Sequence, residues 1–158
     1  MAPLRVLFVC LGNICRSPLA EGIMKHKLNA MGLKDQILVD SCGTSNYHIG
    51  DKPDSRTREN AERNGVILNH RGRQITSDDL ESFDFIVAMD LSNKKNVFTL
   101  ASNAHRNKVK LMREFDHEPG DEVPDPYYGD EDDFQEVFDI LNRSIDGFIS
   151  HLQREGKL

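Results

Sequence analysis

The sequence has few cysteines, and it lacks long apolar runs, low-complexity tracts and blocks of basic residues. Its three cysteines are too few for a disulfide framework, and a reducing compartment would keep them as thiols. The apolar runs are short, and the start MAPLRVLFVC has no long apolar core followed by a cleavage site, which predicts neither a signal peptide nor a membrane span. A cytoplasmic location is therefore the default expectation.

The charge balance limits the partners that the chain can bind. Among its 158 residues, 20 Lys and Arg stand against 26 Asp and Glu, a net charge of -6. No basic block of the kind that grips phosphate backbones is present, so we expect neither nucleic acid nor a membrane as a partner. The length and the absence of Gly/Ser-rich, Pro-rich or repeated tracts predict one globular domain over residues 1–158. An anion would have to be bound by a local site.

Strand and helix patterns alternate along the chain, which predicts a parallel sheet wrapped by helices. Predicted strands cover residues 4–10, 37–39, 83–89 and 108–112. Predicted helices cover about 15 residues from the Ser17 cap and Pro18 to Gly32, then residues 57–65, residues 91–100 and the C-terminal segment. Eight apolar residues of that last segment share one helical face and predict core packing: Phe134, Val137, Phe138, Leu141, Ile145, Phe148, Ile149 and Leu152. The acids Asp130 to Asp133 fit its N-terminal dipole.

The stretch VLFVCLGNICRSP, from residue 6 to residue 18, carries more chemistry than a strand-to-helix turn needs. Ligands of open parallel sheets bind beyond the carboxyl ends of strands, where helix N-termini offer free N–H groups to anions. The turn from Leu11 to Arg16 can form a nest of inward amides, because Gly12 and Asn13 tolerate unusual dihedrals. Those dipoles favour a thiolate at Cys10, and the guanidinium of Arg16 can grip two oxygens of a tetrahedral anion. The pattern predicts a nucleophile and an oxyanion clamp.

VCLGNICRSP together with the downstream DPYYGD resembles the low-molecular-weight protein tyrosine phosphatases. The similarity runs nearly end to end, through SCGTSNYHIGDKPDSR, HRGRQI and FDFIVAMD. This resemblance implies an α/β, flavodoxin-like fold with a four-stranded parallel sheet, helices on both faces and a phosphate-binding loop after the first strand. It also implies hydrolysis of phosphotyrosine proteins or peptides and small aryl phosphates through a phosphocysteine, without metal or cofactor. Inorganic phosphate would be the product. We expect a monomer, with weak self-association as the alternative.

The resemblance assigns catalytic roles to four residues. Cys10 is the nucleophile, Arg16 binds the phosphoryl oxygens, and Ser17, besides capping the helix, hydrogen bonds the Cys10 thiolate. Asp125 lies between Pro124 and Pro126, which stiffen its loop. It would protonate the leaving phenolate and then accept a proton from the attacking water.

Further residues are expected to brace the loop or to bind substrate. Asn13 would contact Ser41 and His70, although a solvent-facing loop histidine is an alternative for His70. Asp90 fits either a brace for Arg16 or an N-cap of the next helix. Tyr47 and Tyr127 would wall a deep slot for a phosphotyrosine ring, whereas core packing is a stronger alternative for Tyr128. The expected substrate-binding set is Leu11, Gly12, Asn13, Ile14, Cys15, Tyr47, Tyr127 and Tyr128.

The cysteines other than Cys10 have separate expected roles. In the resembling family an oxidant can link the residue at Cys15 to the nucleophile, which would protect Cys10 from irreversible oxidation. Cys42 is expected to be buried and inert. Metal binding by Cys10 and Cys15 fails on ligand count.

Three other functions compete with tyrosine phosphatase activity. Thiol-coupled arsenate reductases of the same fold use two further cysteines in the region of residues 76–95, and this chain has none there. Arginine phosphatases place threonine at Ile14 and lack the paired tyrosines. A non-catalytic phosphotyrosine-binding module would need neither the nucleophile Cys10 nor the acid Asp125.

Overall fold

A four-stranded parallel sheet forms the centre of the computed structural model, which describes residues 3–158. Met1 and Ala2, with which the predicted domain begins, lie outside the described residues. The strands are β1 (Leu4–Cys10), β2 (Ile37–Gly43), β3 (Phe85–Ala88) and β4 (Val109–Leu111). Their order is β2-β1-β3-β4, and every pairing is parallel. This confirms the flavodoxin-like α/β fold expected from the sequence.

Helices cover both faces of this sheet. They are α1 (Arg16–Ala30), α2 (Ser55–Arg63), α3 (Ser77–Ser82), α4 (Leu91–Leu100) and α5 (Glu131–Arg154), and short 3-10 turns at Arg106–Lys108 and Met112–Phe115 flank β4. Alternate residues of β1 point to opposite faces, so Phe8 packs in a core cluster with α1 and α5, and Val9 packs in a second cluster with α3 and α4. None of the helices within residues 3–158 has both the length and the apolar character needed to cross a membrane.

Helix α5 matches its predicted pattern. All eight apolar residues of its predicted face are buried, as core packing requires. Asp130 caps the helix, because its carboxylate accepts the backbone N–H groups of Asp132 and Asp133. The acidic start of this helix therefore serves as a cap. The prediction of one domain over residues 1–158 stays a prediction.

The start of α1 differs from the prediction. Ser17 is not the N-cap: the helix begins at Arg16, Cys15 occupies the cap position, and no side chain caps it. The Ser17 hydroxyl points instead to the sulfur of Cys10, because the tight loop brings this serine below the cysteine. Strand β2 extends to Gly43, beyond the predicted end at residue 39, and helix α3 lies in a segment for which no element was predicted.

Candidate active site

The loop of residues 11–16 joins β1 to α1 and curls over the sulfur of Cys10. Asn13 has a φ of 58°, the left-handed conformation that asparagine tolerates better than most residues. This turn aims the Asn13 amide at Cys10, with 3.3 Å between the nitrogen and Sγ. Gly43 at the end of β2 supports the loop from behind, since a Cβ there would lie 2.7 Å from the carbonyl oxygen of Leu11. The backbone therefore closes around the thiol.

Ser17 provides a second contact to the Cys10 sulfur. Its Oγ lies 2.9 Å from Sγ, and both residues are buried. The amide Nδ2 of Asn13 donates to this Oγ at 2.8 Å, which leaves the serine hydrogen available for a thiolate. The hydroxyl also lies 3.3 Å from the carbonyl oxygen of Cys42. Ser17 can thus stabilise the ionised form of Cys10.

A buried polar network holds Asn13 in place. Its Nδ2 donates to the Ser41 hydroxyl at 3.0 Å, and its Oδ1 lies 2.7 Å from Nε2 of His70. The backbone amide of Arg73 donates to the same Oδ1 at 3.0 Å. The alternative of a solvent-facing His70 is wrong, because its side chain is almost completely covered by these contacts.

Glu21 completes this network and was not predicted from the sequence. Ser41 donates to its Oε1 at 2.7 Å, Nδ1 of His70 lies 3.1 Å from the same oxygen, and Lys25 donates to Oε2 at 2.6 Å. Burial alone would raise the pKa of Glu21, but its hydrogen bonds with His70, Lys25 and Ser41 hold the pKa below its usual value. The only sequence signal is an acid on a helix position that faces the sheet.

Glu21→Gln is expected to lower the free energy of unfolding at pH 7 by about 1 to 3 kcal/mol, because a buried charged partner of His70 and Lys25 is lost. Because the pKa of Glu21 is lower in the folded state than its unfolded value of 4.5, the ionised carboxylate stabilises the fold above pH 4.5. This contribution is lost as the pH falls through the pKa of the folded state. The difference between parent and variant should therefore shrink in acid. Urea unfolding of both proteins at pH 7 and pH 3.5 measures it, and an equal difference at both pH values would contradict the ionised role of Glu21.

Glu21, Asp40 and His70 also have the ligand types of a metal site, with one ligand atom from each within 4.8 Å of the others. Their atoms already have protein partners, however. His70 binds Glu21, and Oδ2 of Asp40 accepts from Nε of Arg73 at 3.0 Å. The cluster is explained by bracing of the loop.

Arg16 reaches across the loop and is almost fully buried. Its Nη1 donates to Oδ2 of Asp90 at 2.6 Å and to the carbonyl oxygen of Val123 at 3.1 Å. Oδ1 of Asp90 accepts the amide of Asn93 at 2.7 Å, so this aspartate both braces Arg16 and caps α4. Burial would lower the pKa of Arg16, but Cys10 and Asp90 raise it above its usual value. The guanidinium therefore stays charged beside the thiol.

Asp125 lines the same cavity as Cys10 and lies on the loop before α5. Its carboxylate is about half exposed, and Oδ2 is 3.8 Å from Nη2 of Arg16. Oδ1 accepts the backbone amide of Tyr127 at 3.1 Å. The amide of Val123 donates to the carbonyl oxygen of Met89 at 2.8 Å, which ties this loop to the end of β3.

The three tyrosines surround the mouth of the cavity. Tyr47 is 73% exposed, and the rings of Tyr127 and Tyr128 meet edge to face with centroids 4.9 Å apart. Core packing of Tyr128, the stronger alternative at that position, is wrong, because its side chain is 97% exposed. Exposed aromatic faces at a cavity mouth can stack on a ligand ring.

Most of the expected site residues line one cavity of about 320 Å³. Asn13 and Ser17 lie behind the loop instead, within the network described above. His48 was not predicted and also lines the cavity, next to Gly12, at which a Cβ would approach its ring to 3.1 Å. The lining residues are Cys10, Leu11, Gly12, Ile14, Cys15, Arg16, Tyr47, His48, Asp125, Tyr127 and Tyr128.

The three cysteines are free thiols, and all are buried. Burial raises the pKa of Cys15 to about 12, and it also raises the pKa of Cys42 well above the usual value. Cys42 is a residue of β2, and its side chain lies in the core with no exposed surface, as a packing residue would.

A flavodoxin-like sheet whose first strand ends on a cysteine, with an arginine closing the following loop, fits the class of cysteine-dependent phosphatases. The sequence matches the family described as "Low molecular weight phosphotyrosine protein phosphatase" over residues 5–158. The chain belongs to this family.

Individual relatives agree with this assignment. The low molecular weight phosphotyrosine protein phosphatase of Schizosaccharomyces pombe is 42% identical over 138 residues, which cover 85% of this chain and 88% of the relative. A protein tyrosine phosphatase from Entamoeba histolytica, crystallised with Hepes in its active site, is similar with a TM-score of 0.93 and 39% identity, over 98% of this chain and 99% of the other. A Drosophila arginine phosphatase is also similar, with a TM-score of 0.88 and 32% identity over 94% and 97% of the two chains.

Proposed function

We propose that this protein hydrolyses phosphotyrosine in proteins and peptides, and small aryl phosphates, through a phosphocysteine at Cys10. The observation that carries the proposal is the environment of the Cys10 sulfur. It lies at the base of the cavity, 2.9 Å from the Ser17 hydroxyl and 3.3 Å from the Asn13 amide, with the charged Arg16 in the same wall. This arrangement supports an ionised thiol that faces a bound phosphoryl group.

The first step transfers the phosphoryl group to sulfur. The loop amides and Arg16 hold the equatorial oxygens, and the Cys10 thiolate attacks phosphorus opposite the phenolic oxygen. As the P–O bond breaks, the protonated carboxyl group of Asp125 donates its proton to the leaving phenolate. Phenol leaves, and the phosphate remains bound to Cys10 as a thiophosphate ester.

The second step returns the enzyme to its starting state. Asp125, now ionised, accepts a proton from a water molecule that attacks phosphorus, and the S–P bond breaks to regenerate the Cys10 thiolate. Inorganic phosphate leaves the loop. Arg16 and the amides supply the charge stabilisation, so the two steps need neither a metal nor a cofactor.

We expect phosphotyrosine peptides to be hydrolysed much faster than phosphoserine peptides, phosphoarginine peptides or arsenate are converted. EDTA is present in every assay. Ile14 and the rings of Tyr47 and Tyr127 line the cavity above Cys10, and a short serine side chain cannot bring its phosphorus to that depth. Steady-state assays of the four substrates side by side measure this preference. Comparable rates on phosphotyrosine and phosphoserine peptides would contradict the slot, and activity that needs an added divalent ion would contradict the mechanism.

The arginine phosphatase alternative has the same fold, and the choice between the two depends on cavity chemistry. The apolar side chain of Ile14 and the paired rings of Tyr127 and Tyr128 favour an aromatic leaving group. We also expect a monomer in the cytoplasm, acting on proteins or small phosphate esters without nucleic acid or membrane partners.

Peroxide is expected to inactivate the enzyme reversibly by linking Cys10 to Cys15. The disulfide would protect the Cys10 sulfur from further oxidation, which is irreversible. Cys15→Ser should therefore recover less activity than the parent when a thiol reductant is added after a peroxide pulse. Recovery assays with intact-mass measurement test this, and complete recovery of the variant would show that Cys15 has no protective role.

A further inference from the structure

Arg56, the second residue of α2, lies over two aromatic rings that follow Asp125 in the chain. Its guanidinium carbon is 5.3 Å from the ring centroid of Tyr127 and 4.7 Å from that of Phe134. Tyr127 lines the cavity, whereas Phe134 is buried in the first turn of α5. A guanidinium within about 6 Å of a ring centroid is attracted to the face of the ring. Arg56 is not itself a lining residue, so it contacts a wall of the cavity from outside.

Asp54 fixes the guanidinium of Arg56 in this position. Its Oδ1 accepts from Nε at 3.0 Å and its Oδ2 accepts from Nη2 at 2.9 Å, a two-point contact that sets the plane of the guanidinium. The backbone amide of Asp54 donates to the carbonyl oxygen of Ile14 at 2.7 Å. Asp54 and Arg56 therefore join the phosphate loop to the ring of Tyr127.

The ring of Tyr127 depends on such a contact, because its surroundings hold it only in part. Its side chain is partly exposed, and Tyr128, whose ring meets it edge to face, is almost fully exposed. The backbone of this turn is fixed separately, since the amide of Gly129 donates to the carbonyl oxygen of Pro126 at 2.8 Å. A fixed backbone still leaves the side chain free to change rotamer. Arg56 is anchored at its other end, so it can restrict the Tyr127 ring to the wall of the cavity.

We infer that Arg56 is a positioning residue, which acts through Tyr127 to raise the affinity of the cavity for the aromatic ring of an aryl phosphate. The inference rests on the proposed function, because it concerns the same cavity. The loop of residues 11–16 would bind the phosphoryl group whether or not Arg56 is present. A wall that is already ordered lowers the entropy cost of binding the ring. Removal of Arg56 should therefore weaken binding of the aromatic part and leave phosphate binding unchanged.

The test measures the affinity of two ligands without any turnover. Benzylphosphonate carries an aromatic ring on a bond that the enzyme cannot hydrolyse, and inorganic phosphate reports on the loop alone. Both are titrated by NMR into the reduced parent, Arg56→Met and Arg56→Gln. Glutamine can still donate to Asp54 but has no charge, which separates the cation from the hydrogen bond. Both variants should bind benzylphosphonate about two- to fivefold more weakly, as expected for one cation–π contact at a partly exposed site.

Steady-state kinetics add a second readout. KM for a phosphotyrosine peptide should rise by a similar factor with kcat unchanged, the pattern of lost binding that is equal in the ground state and the transition state. Arg63→Met is the matched control, because Arg63 is an exposed arginine of the same helix that pairs with Glu131. It should bind both ligands as the parent does. In a Tyr127→Ala background, Arg56→Met should have no further effect on benzylphosphonate, since the ring through which it acts is gone.

Any of four results would overturn the inference. Arg56→Met or Arg56→Gln could bind benzylphosphonate as the parent does, or could lose affinity for inorganic phosphate to the same extent, which would place the effect on the loop. Arg63→Met could weaken binding equally, which would indicate a general effect of charge. The effect of Arg56→Met could persist without the Tyr127 ring. Benzylphosphonate binding that depends on Arg56 and Tyr127, in a protein that does not hydrolyse aryl phosphates, would reject the proposed function and keep this inference.

Discussion

Cys10→Ser will reduce turnover of p-nitrophenyl phosphate by about 10⁴-fold or more, the order of loss found when a catalytic nucleophile is removed. A serine hydroxyl at this position is much less ionised than a thiol, and the contacts from Ser17 and Asn13 to the sulfur stabilise a thiolate specifically. Binding of inorganic phosphate should persist, because the loop amides and Arg16 remain. Steady-state kinetics and a phosphate titration followed by NMR measure the two properties separately.

Cys42→Ser is the matched control, since it makes the same chemical change at a buried cysteine outside the cavity. It should keep activity close to the parent's, with some loss of stability from the buried hydroxyl. Substantial turnover by Cys10→Ser would place the nucleophile elsewhere. Loss of both turnover and phosphate binding would show that the substitution collapses the loop, and the nucleophilic role would then lack support.

Asp125→Asn will slow turnover by about 10²- to 10⁴-fold with a phenol that leaves poorly, the usual range for general acid catalysis. The loss should depend on the leaving group. Phenols of low pKa depart as anions without a proton, so with those esters the first step of the variant should approach the parent's rate. A series of substituted phenyl phosphates, with burst kinetics to isolate the first step, measures this dependence. The phosphocysteine should still form from the most activated ester.

Asp121→Asn is the control for this experiment, because it changes an exposed aspartate of the same loop outside the cavity. It should leave the whole series unchanged. An equal slowing of Asp125→Asn across all esters would mean that Asp125 positions the loop or the substrate. The acid would then have to be sought among Asp54, Asp90 and Asp130, of which Asp90 is already paired with Arg16.

Much of the fold could be predicted because its signals are local. The apolar run of β1 and the apolar residues spaced three and four apart in α5 both indicate buried faces. Both elements lie where the sequence predicts them. Helix α3 was missed because six residues give too little periodicity to recognise. The last residues of β2, Ser41 to Gly43, have the small side chains of a loop, and their strand pairing depends on the neighbouring β1.

The site shows the same division between local and distant information. The loop from Cys10 to Arg16 is contiguous, so its residue types indicate a nest for an oxyanion. Glu21 acts on that loop through Ser41 and His70, and nothing in the sequence spacing links it to either of them. Ser17 was predicted both to cap the helix, because serine often begins helices, and to contact the Cys10 thiolate. The cap is wrong, and the hydroxyl lies beside the Cys10 sulfur.

The hydrogen bond from Arg16 to the carbonyl oxygen of Val123 joins the loop that holds the phosphate to the segment that carries Asp125. Asp125 lies two residues after Val123, so the guanidinium of Arg16 also holds the segment that carries the proposed acid. The kinetic penalties of changing Arg16 and Asp125 are consequently not independent quantities that can be summed. A weaker phosphate affinity in an Arg16 variant and a poorer expulsion of phenol in the same variant would have one common origin. We therefore expect the proposed clamp at Arg16 and the proposed acid at Asp125 to be energetically coupled.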